Sequence, residues 1–281
     1  MSIFQAVILA LVQAVTEFLP ISSTAHLFLV PWLFGWEDPG LAFTMAVHVG
    51  TLAAVILYFF RTWMEYGLAG IGLHFPRGAH KEQVAVARRM FWFLVAGTFP
   101  AAVAGALLEE AIDTTFRSPI LMASMLIAVS GVMWLAEAYA ARAALARALD
   151  SLSLADALLI GTAQAVALVP GVSRSGITIC AGLFRGMTRE ASARFTFLLS
   201  TPIIAGASAK KLLELRNVEL AGDTLPAFVV AAVVSAVAGY VVIAFLLRYL
   251  QTRTLHIFIY YRVLLGAVIL LLAYLQMGPA R

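Results

Sequence analysis

Residues 13–26 read QAVTEFLPISSTAH and place polar side chains in a segment that is otherwise apolar. The run contains the amide of Gln13, the carboxylate of Glu17, several hydroxyls and the imidazole of His26. Such groups are costly at membrane depth, so they indicate a functional site. Pro20 has no amide hydrogen and disfavours helical backbone in the residue before it, so a helix over residues 3–18 should end near Phe18.

The composition predicts an all-α integral membrane protein. Of 281 residues, 62% are hydrophobic and only 12% are charged, and the mean hydropathy is +0.94, a balance that excludes an ordinary soluble domain. A helix of about 20 apolar residues spans a bilayer. Six segments meet this length: 41–60, 90–108, 118–140, 194–212, 226–248 and 256–275.

Targeting and charge exclude two other classes. The chain begins without a basic segment ahead of an apolar run, so we expect no cleaved secretory signal. The net charge is +4, but no basic run with interleaved aromatic residues occurs, so we expect no nucleic-acid partner. The charge is better interpreted as a signal of membrane orientation.

Two further apolar segments, 3–30 and 154–185, are broken by prolines and polar residues. In the first, the helix over 3–18 is followed by a second short helix from Thr24 to Val30, before Pro31, with Ser22 or Ser23 as its N-cap. Two such helices are too short for two spans. They predict a re-entrant hairpin, whose irregular turn lies in protein or lines a cavity.

The pattern of the first hairpin returns in the second half of the chain. Gln13-Ala-Val is followed nine residues later by Ser-Ser-Thr, and Gln164-Ala-Val is followed at the same spacing by Ser-Arg-Ser. Further matches in the same order indicate an internal duplication with halves 1–148 and 149–281. Each half holds one hairpin and three spans, and this odd number predicts that the two halves insert with inverted topology.

Basic residues set the expected orientation. Lys and Arg concentrate in the loops at 61–89, 141–193 and 249–255, which places these loops in the cytoplasm and both termini on the opposite side. The hairpins then enter from opposite faces and meet near the midplane. We expect His74 and His80 to be solvated rather than to bind metal, and Arg262, beside two tyrosines, to be an interfacial anchor. Packing is the expected role of His48, and the alternative is that it lines the cavity at the meeting point.

The meeting point predicts an anion site. If Ser22 or Ser23 begins one short helix and Ser173 the other, two helix N-termini converge with unpaired amides. Gly171 and Gly176 would let the backbone approach a ligand closely, and the fork of Arg174 suits phosphate. The alternative for Arg174 is an extended side chain that reaches the cytoplasmic surface.

Glu17 is the strongest candidate for a functional residue in the first hairpin. With Gln13 one turn away, Glu17 could bind a divalent cation or act as a general base. The alternative is that Glu17 is a protonated carboxyl buried in the core. Ser23 could attack phosphorus if Glu17 or His26 takes its proton, although His26 is also compatible with a core histidine. Helix capping is the alternative for Ser22, Thr24 and Ser175. These residues alone do not choose between hydrolysis and transport.

Three motifs resemble the undecaprenyl-diphosphate phosphatase family, the integral membrane enzymes linked to bacitracin resistance. They are the run at 13–26, PGVSRSG at 170–176 and RFTFLLSTP at 194–202. The resemblance implies removal of one phosphate from undecaprenyl diphosphate, which recycles the lipid carrier for peptidoglycan synthesis. The implied catalytic set is Glu17, Ser23, His26 and Arg174. The implied diphosphate-binding set is Gln13, Ser22, Thr24, Gly171, Ser173, Ser175 and Gly176.

The resemblance also implies a divalent cation, Mg²⁺ or Ca²⁺, with Glu17 as a candidate ligand. It implies the inner membrane of a bacterium and a site open to the periplasmic or outer side. Many members have Glu where this chain has Gln13, and glycine is common where it has Ala25. A secondary transporter or lipid flippase is the alternative function, since inverted repeats with broken helices are typical of transporters. The sequence does not decide whether the protein forms a homodimer.

Overall fold

The computed structural model describes residues 1–73, 80–114, 118–142, 146–215 and 225–277. These residues form eleven α-helices and no β-sheet, which confirms the predicted all-α class. The helices are α1 (Ile3–Phe18), α2 (Ser23–Phe34), α3 (Gly40–Tyr58), α4 (Phe60–Gly70), α5 (Lys81–Thr114), α6 (Pro119–Arg142), α7 (Leu154–Val166), α8 (Arg174–Phe184), α9 (Arg189–Leu215), α10 (Leu225–Tyr249) and α11 (His256–Met277).

Five of these helices are long and apolar enough to cross a membrane, and they establish a multi-pass membrane protein. They are α3, α5, α6, α10 and α11. The remaining predicted span, 194–212, lies within α9 (Arg189–Leu215). This helix has sufficient length, but its mixture of apolar and polar residues, with Arg194, Lys210 and Lys211, keeps it outside the five.

The first hairpin agrees with the sequence at its first helix and differs at its second. α1 ends at Phe18, as Pro20 predicts. α2 continues through Pro31 and ends at Gly35, so the prediction that it stops before Pro31 was wrong. A proline inside a helix removes one hydrogen bond without always ending the helix. Gly35 ends it because its left-handed backbone, with φ 62°, lets its amide bond back to the Pro31 and Trp32 carbonyls.

The predicted loop 61–89 is also partly helical. Its described residues include most of α4 (Phe60–Gly70) and the first two turns of α5 (Lys81–Thr114). The sequence prediction was wrong here because the charged residues in this stretch hid its helical periodicity. His80 is exposed, in agreement with a solvated residue, whereas His74 lies outside the described residues.

The second hairpin has the same form as the first. α7 begins after Ser153, whose hydroxyl accepts a hydrogen bond from the Asp156 amide, and α8 begins after Ser173. Ser22 and Ser173 hold the same position before α2 and α8, and they have φ values of 73° and 72°. Positive φ is uncommon outside glycine. Both hairpins therefore turn through the same unusual backbone conformation.

Each hairpin packs against the other half of the chain. α1 contacts α10, and α7 contacts α5, while α3 contacts both α9 and α10. The α5–α7 contact is close because glycines face each other: a Cβ placed on Gly161 would lie 2.0 Å from the Gly97 carbonyl oxygen. Small residues at such crossings allow membrane helices to approach closely.

Two buried carboxylates hold the helix ends together away from the hairpin turns. Glu137 accepts hydrogen bonds from Arg189 Nε at 2.9 Å and from the Leu255 amide at 2.7 Å, which joins α6, α9 and the start of α11. Asp156 accepts from Arg147 Nη2 at 2.8 Å and from Arg185 Nε. Buried charges need such partners, and these arginines come from segments predicted to be cytoplasmic.

The glycine crossing yields a stability prediction. Gly161→Ala should lower the free energy of unfolding by about 1–3 kcal/mol, because the added methyl forces α5 and α7 apart. The matched control is Gly131→Ala, where a Cβ would meet no described atom within 4 Å. Thermal denaturation of both variants in the same detergent checks the difference; equal melting temperatures would contradict the close crossing.

Candidate active site

The carboxylate of Glu17 is the point at which the two hairpins meet. One oxygen, Oε2, accepts hydrogen bonds from Ser23 Oγ at 2.6 Å and from Gln13 Nε2 at 3.2 Å. The other, Oε1, accepts from Arg174 Nη2 at 2.7 Å. The structure therefore brings together four residues that the sequence singled out, and Arg174 comes from the opposite hairpin. Arg174 pairs with a buried carboxylate and does not extend to a membrane surface.

A polar cavity of about 80 Å³ opens beside this carboxylate. Its lining residues with polar side chains are Thr16, Glu17, Ser22, Ser23, Thr24, His48, Ser173 and Arg174. Hydroxyls, an imidazole, one carboxylate and one guanidinium thus surround this space, and hydroxyl and guanidinium donors of this kind can bind a phosphate group.

His48 lines this cavity, so the cavity-lining alternative that the sequence offered for it is confirmed. Its Nε2 is 3.9 Å from Glu17 Oε2, and its Nδ1 is 2.7 Å from the Thr44 carbonyl oxygen. A carbonyl only accepts, so Nδ1 carries a proton and Nε2 faces Glu17. Packing was the favoured role in the sequence because His48 lies on a separate helix, α3, and no short motif links it to Glu17.

His26 lies behind the Ser22 turn and does not line the polar cavity. Its Nδ1 donates to the Ser22 carbonyl oxygen at 2.7 Å, and its Nε2 is 2.7 Å from the Tyr261 hydroxyl. The imidazole and the Tyr261 ring are stacked, with centroids 5.6 Å apart. Nδ1 therefore supports the turn and Nε2 joins it to α11, while a role for His26 as base or nucleophile stays a prediction.

The remaining serines of the turns divide between capping and contact with the other hairpin. Ser173 Oγ accepts a hydrogen bond from the Gly176 amide at 3.3 Å, as an N-cap does. Ser175 Oγ donates to the Leu19 carbonyl oxygen at 3.1 Å and so crosses to the first hairpin. Ser22 makes no side-chain cap bond, and its hydroxyl and that of Thr24 belong to residues that line the cavity.

Gly171 and Gly176, in the second turn, are each required to be glycine for a different structural reason. Gly171 has a φ of 93°, and a Cβ there would lie 2.3 Å from the Met122 carbonyl oxygen, so both its backbone and its packing require glycine. A Cβ on Gly176 would lie 3.3 Å from the Ser173 side chain. Glycine at this position keeps the capping serine and the amide it binds close together.

Arg262 is the residue that the sequence interpretation missed. The prediction of an interfacial anchor was wrong, because the side chain is fully buried. Its Nη1 donates to the Pro20 carbonyl at 3.2 Å, and its Nη2 donates to the Gly171 and Val172 carbonyls at 3.0 and 3.1 Å. Its Nε faces the Leu126 carbonyl and the Ser130 hydroxyl, each at 3.3 Å. One guanidinium thus holds the turns of both hairpins.

The donor set near Glu17 fits a divalent cation that is shared with a phosphate ligand. No group of three or more His, Cys, Asp or Glu residues with metal-site geometry occurs among the described residues, so an all-protein cage is not present there. Gln13 Oε1 is buried and has no hydrogen-bond partner in the described part of the chain. Mg²⁺ is commonly held by one or two carboxylates together with substrate phosphates, and Glu17 with the Gln13 carbonyl oxygen would supply the protein side of such a site.

Comparison with known proteins identifies the family. A sequence model described as Bacitracin resistance protein BacA matches residues 6–268. The chain belongs to the BacA family. It is 46% identical to the undecaprenyl-diphosphatase of Pelotomaculum thermopropionicum over 279 residues, which cover 99% of this chain and 100% of that protein. It is 44% identical to the undecaprenyl-diphosphatase of Desulforudis audaxviator, with coverage of 98% and 100%.

A third BacA relative, the undecaprenyl-diphosphatase of Moorella thermoacetica, is 45% identical with coverage of 98% and 100%. The match to the BacA model confirms the resemblance that the hairpin motifs indicated. It includes both hairpin turns and Arg262. The geometry described above therefore lies within the part of the chain that defines the family.

Arg262 yields a prediction for this BacA chain. Arg262→Met should lower the melting temperature, because each buried carbonyl left without a donor costs about 1–3 kcal/mol. Arg262→Lys should recover only part of the loss, because an ammonium has three donors and lacks the planar fork. The control is Arg253→Met, where the side chain is exposed. Melting temperatures of Arg262→Met and Arg253→Met that agree would contradict the role of Arg262 at the turns.

Proposed function

We infer that this chain hydrolyses undecaprenyl diphosphate to undecaprenyl phosphate and inorganic phosphate, and so recycles the lipid carrier of peptidoglycan synthesis. The observation that carries the inference is the hydrogen-bonded group of Ser23, Glu17 and Arg174. It combines a nucleophile, its base and a phosphate-binding fork at 2.6 and 2.7 Å. The function in the names of the BacA relatives, undecaprenyl-diphosphatase, supports the same activity.

The geometry supports attack by Ser23 on the terminal phosphorus. The Ser23 hydroxyl already donates to Glu17 Oε2, so Glu17 accepts the proton as the oxygen attacks. The bond between the terminal phosphorus and the bridging oxygen breaks, and prenyl phosphate leaves with that oxygen. Glu17 gives this proton to the leaving prenyl phosphate and is a carboxylate again. It then takes a proton from a water that attacks the phosphoserine phosphorus, and it returns the proton to Ser23 Oγ as the bond between Ser23 and phosphorus breaks. Attack by His26 or by water stays an alternative on the same site.

Arg174 and the two helix N-termini stabilise the transferring group. In the absence of substrate Arg174 binds Glu17, and a phosphoryl oxygen competes for the same guanidinium. When the Arg174 guanidinium binds the phosphate instead, the Glu17 carboxylate can accept the proton of Ser23. Preorganised donors of this kind contribute about 10²-fold to 10³-fold each in related sites. Residues at the starts of α2 and α8 line the same space, and in this proposal their backbone amides add donors to the phosphate.

A divalent cation, Mg²⁺ or Ca²⁺, is part of the proposal. Glu17 and the Gln13 carbonyl oxygen would hold it together with diphosphate oxygens. When bound, it supplies neutralisation of the phosphate charge. Gln13 contributes a neutral oxygen, so this chain offers one carboxylate where relatives with Glu at this position would offer two. The Gln13 Oε1 atom without a described partner supports its availability as a ligand.

The proposed architecture is a pair of inverted repeats, 1–148 and 149–281, each with one re-entrant hairpin. Two observations support it. The residues before α2 and α8 share φ values of 73° and 72°. The packing is reciprocal, since α1 contacts α10 of the second half and α7 contacts α5 of the first. An inverted pair would also bring Glu17 and Arg174 together from opposite sides of the membrane.

The proposed location is the bacterial inner membrane, with both termini and the opening of the site on the outer side. The charge distribution supports it: Arg147 and Arg185 gather at Asp156, and Arg189 binds Glu137 at the ends of the helices next to loop 249–255. These basic segments are those that the positive-inside rule assigns to the cytoplasm. A cell-wall lipid carrier is dephosphorylated where its glycan has been transferred, on the opposite face.

The alternative, a transporter or flippase, is not favoured. Broken helices that meet at the midplane are common in transporters, and the fold alone is compatible with transport. Transport requires an anion site but no serine hydroxyl hydrogen-bonded to a carboxylate. The 2.6 Å Ser23–Glu17 bond is therefore the observation that favours hydrolysis.

Removal of the Ser23 hydroxyl tests the activity and the mechanism together. Ser23→Ala should lower kcat for phosphate release from a prenyl diphosphate by at least about 100-fold, because the nucleophile and its proton transfer are both lost. Ser235→Ala is the control, since that serine is buried on α10 and its hydroxyl donates to the Ala10 carbonyl at 3.2 Å. Full activity of Ser23→Ala would contradict attack by Ser23. Wild-type protein that binds the lipid but releases no phosphate with any cation would contradict the proposed phosphatase activity.

The cation is tested by chelation and by Gln13. EDTA should abolish phosphate release, and added Mg²⁺ or Ca²⁺ should restore it. Gln13→Glu should lower the cation concentration that gives half-maximal activity, because a second carboxylate strengthens the site. Gln5→Glu, at the exposed start of α1, is the matched control. Activity that resists EDTA, or an unchanged half-maximal concentration in Gln13→Glu, would contradict the proposed ligands.

A further inference from the structure

Gln164 in α7 is a buried side chain without a hydrogen-bond partner. It is 2% exposed, and neither its amide oxygen nor its amide nitrogen has a partner among the residues that the structure describes. Its counterpart Gln13 donates to Glu17, four residues further along α1. Four residues after Gln164 the chain has Leu168 instead of a carboxylate. Burial of such an amide is costly unless a ligand completes it.

The surroundings of Gln164 indicate which ligand. It lines a cavity of about 280 Å³, whose other walls include the apolar side chains of Leu41, Met45, Ile203 and Ile204. A second, largely apolar cavity of about 440 Å³ shares wall residues with it, including Leu168 and Ile203, and continues between α5 and α9. The two cavities together offer space for a long apolar chain.

The same cavity adjoins the polar one. His48, Ala167 and Arg174 line both, so these residues mark the boundary between the polar and the apolar cavity, and Gln164 lines the apolar one. A ligand that reaches from Glu17 into the apolar cavities must have an oxygen-rich head and a hydrocarbon tail. In a prenyl diphosphate, the group at that boundary is the phosphate attached to the chain.

We propose that Gln164 binds the phosphate that stays on the prenyl chain, with its Nε2 donating to an oxygen of that phosphate, while the first isoprene units occupy the apolar cavity between α3, α5 and α9. The proposal rests on the proposed function. It assigns the two phosphates to different residues: Ser23, Glu17 and Arg174 act on the terminal phosphate, and Gln164 acts on the retained one.

This placement gives Gln164 a role in the reaction. When Ser23 attacks, the bond between the terminal phosphorus and the bridging oxygen breaks, and the electron pair goes to that oxygen. The negative charge that develops lies on the leaving prenyl phosphate. A donor to this group binds it more strongly as the bond breaks, and such an interaction raises kcat as well as affinity.

The experiment compares Gln164→Leu with Gln251→Leu, an exposed glutamine beyond the end of α10. Leucine has a volume similar to glutamine and suits the apolar walls, so Gln164→Leu should fold with an unchanged or higher melting temperature. For farnesyl diphosphate, kcat/KM should fall about 10-fold to 100-fold, with part of the loss in kcat. The inhibition constant of farnesyl monophosphate should rise by a similar factor. That of inorganic phosphate should stay unchanged. Gln251→Leu should match the wild type in every measurement.

Two results would overturn the proposal. One is a Gln164→Leu enzyme with wild-type kcat, KM and product inhibition. The other is an equal loss of affinity for farnesyl monophosphate and inorganic phosphate, which would show a general disturbance of the site. If Gln164→Leu does not fold, Gln164→Asn keeps the amide but withdraws it by one methylene. The proposal is then tested by the inhibition constant of farnesyl monophosphate, which should rise relative to that of inorganic phosphate. Inactive wild-type protein would instead refute the phosphatase function.

Discussion

The site depends on a buried positive charge that has no carboxylate partner among its described contacts. Arg262 donates only to carbonyl and hydroxyl oxygens, and three of these carbonyls belong to the turns of the two hairpins. A buried cation is stable only when oriented dipoles replace its hydration. Chain breaks at this depth also leave carbonyls without helical partners. One guanidinium satisfies both requirements, and it fixes the spacing of the turns that carry Ser23 and Arg174.

The same contacts explain why two serines keep an unfavourable backbone conformation. Ser22 and Ser173 have positive φ, a geometry that persists only where the surroundings over-determine it. Arg262 binds the carbonyl two residues before each serine, on Pro20 and Gly171. His26 adds a hydrogen bond to the Ser22 carbonyl. These contacts therefore hold the two turns in the conformation in which Ser22 and Ser173 line the polar cavity.

The features that could be predicted from the sequence are those with a local signal. Pro20 fixes the end of α1, and the repeated Gln-Ala-Val spacing relates Ser23 to Arg174, which the structure confirms as partners of one carboxylate. Arg262 gave the opposite signal, because an arginine beside Tyr260 and Tyr261 has the sequence pattern of a membrane interface. Its burial follows from the packing of α11 on α6, which no short pattern encodes. Packing was favoured over a cavity role for His48 for the same reason, since only the contact of α3 with the hairpin brings it near Glu17.

The proposed duplication explains how one backbone supports two chemistries. Both turns present a helix N-terminus, but the first carries Glu17, Ser23 and His26 where the second carries Leu168, Arg174 and Ile177. In the proposed mechanism the first turn supplies proton transfer and a nucleophile, and the second supplies positive charge next to apolar walls. Because a prenyl diphosphate has a reactive phosphate at one end and a hydrocarbon chain at the other, a site built from two unlike halves matches it better than two identical ones. Gln164 keeps the amide of Gln13 but faces the apolar half, where a retained phosphate is the group able to complete its hydrogen bonds.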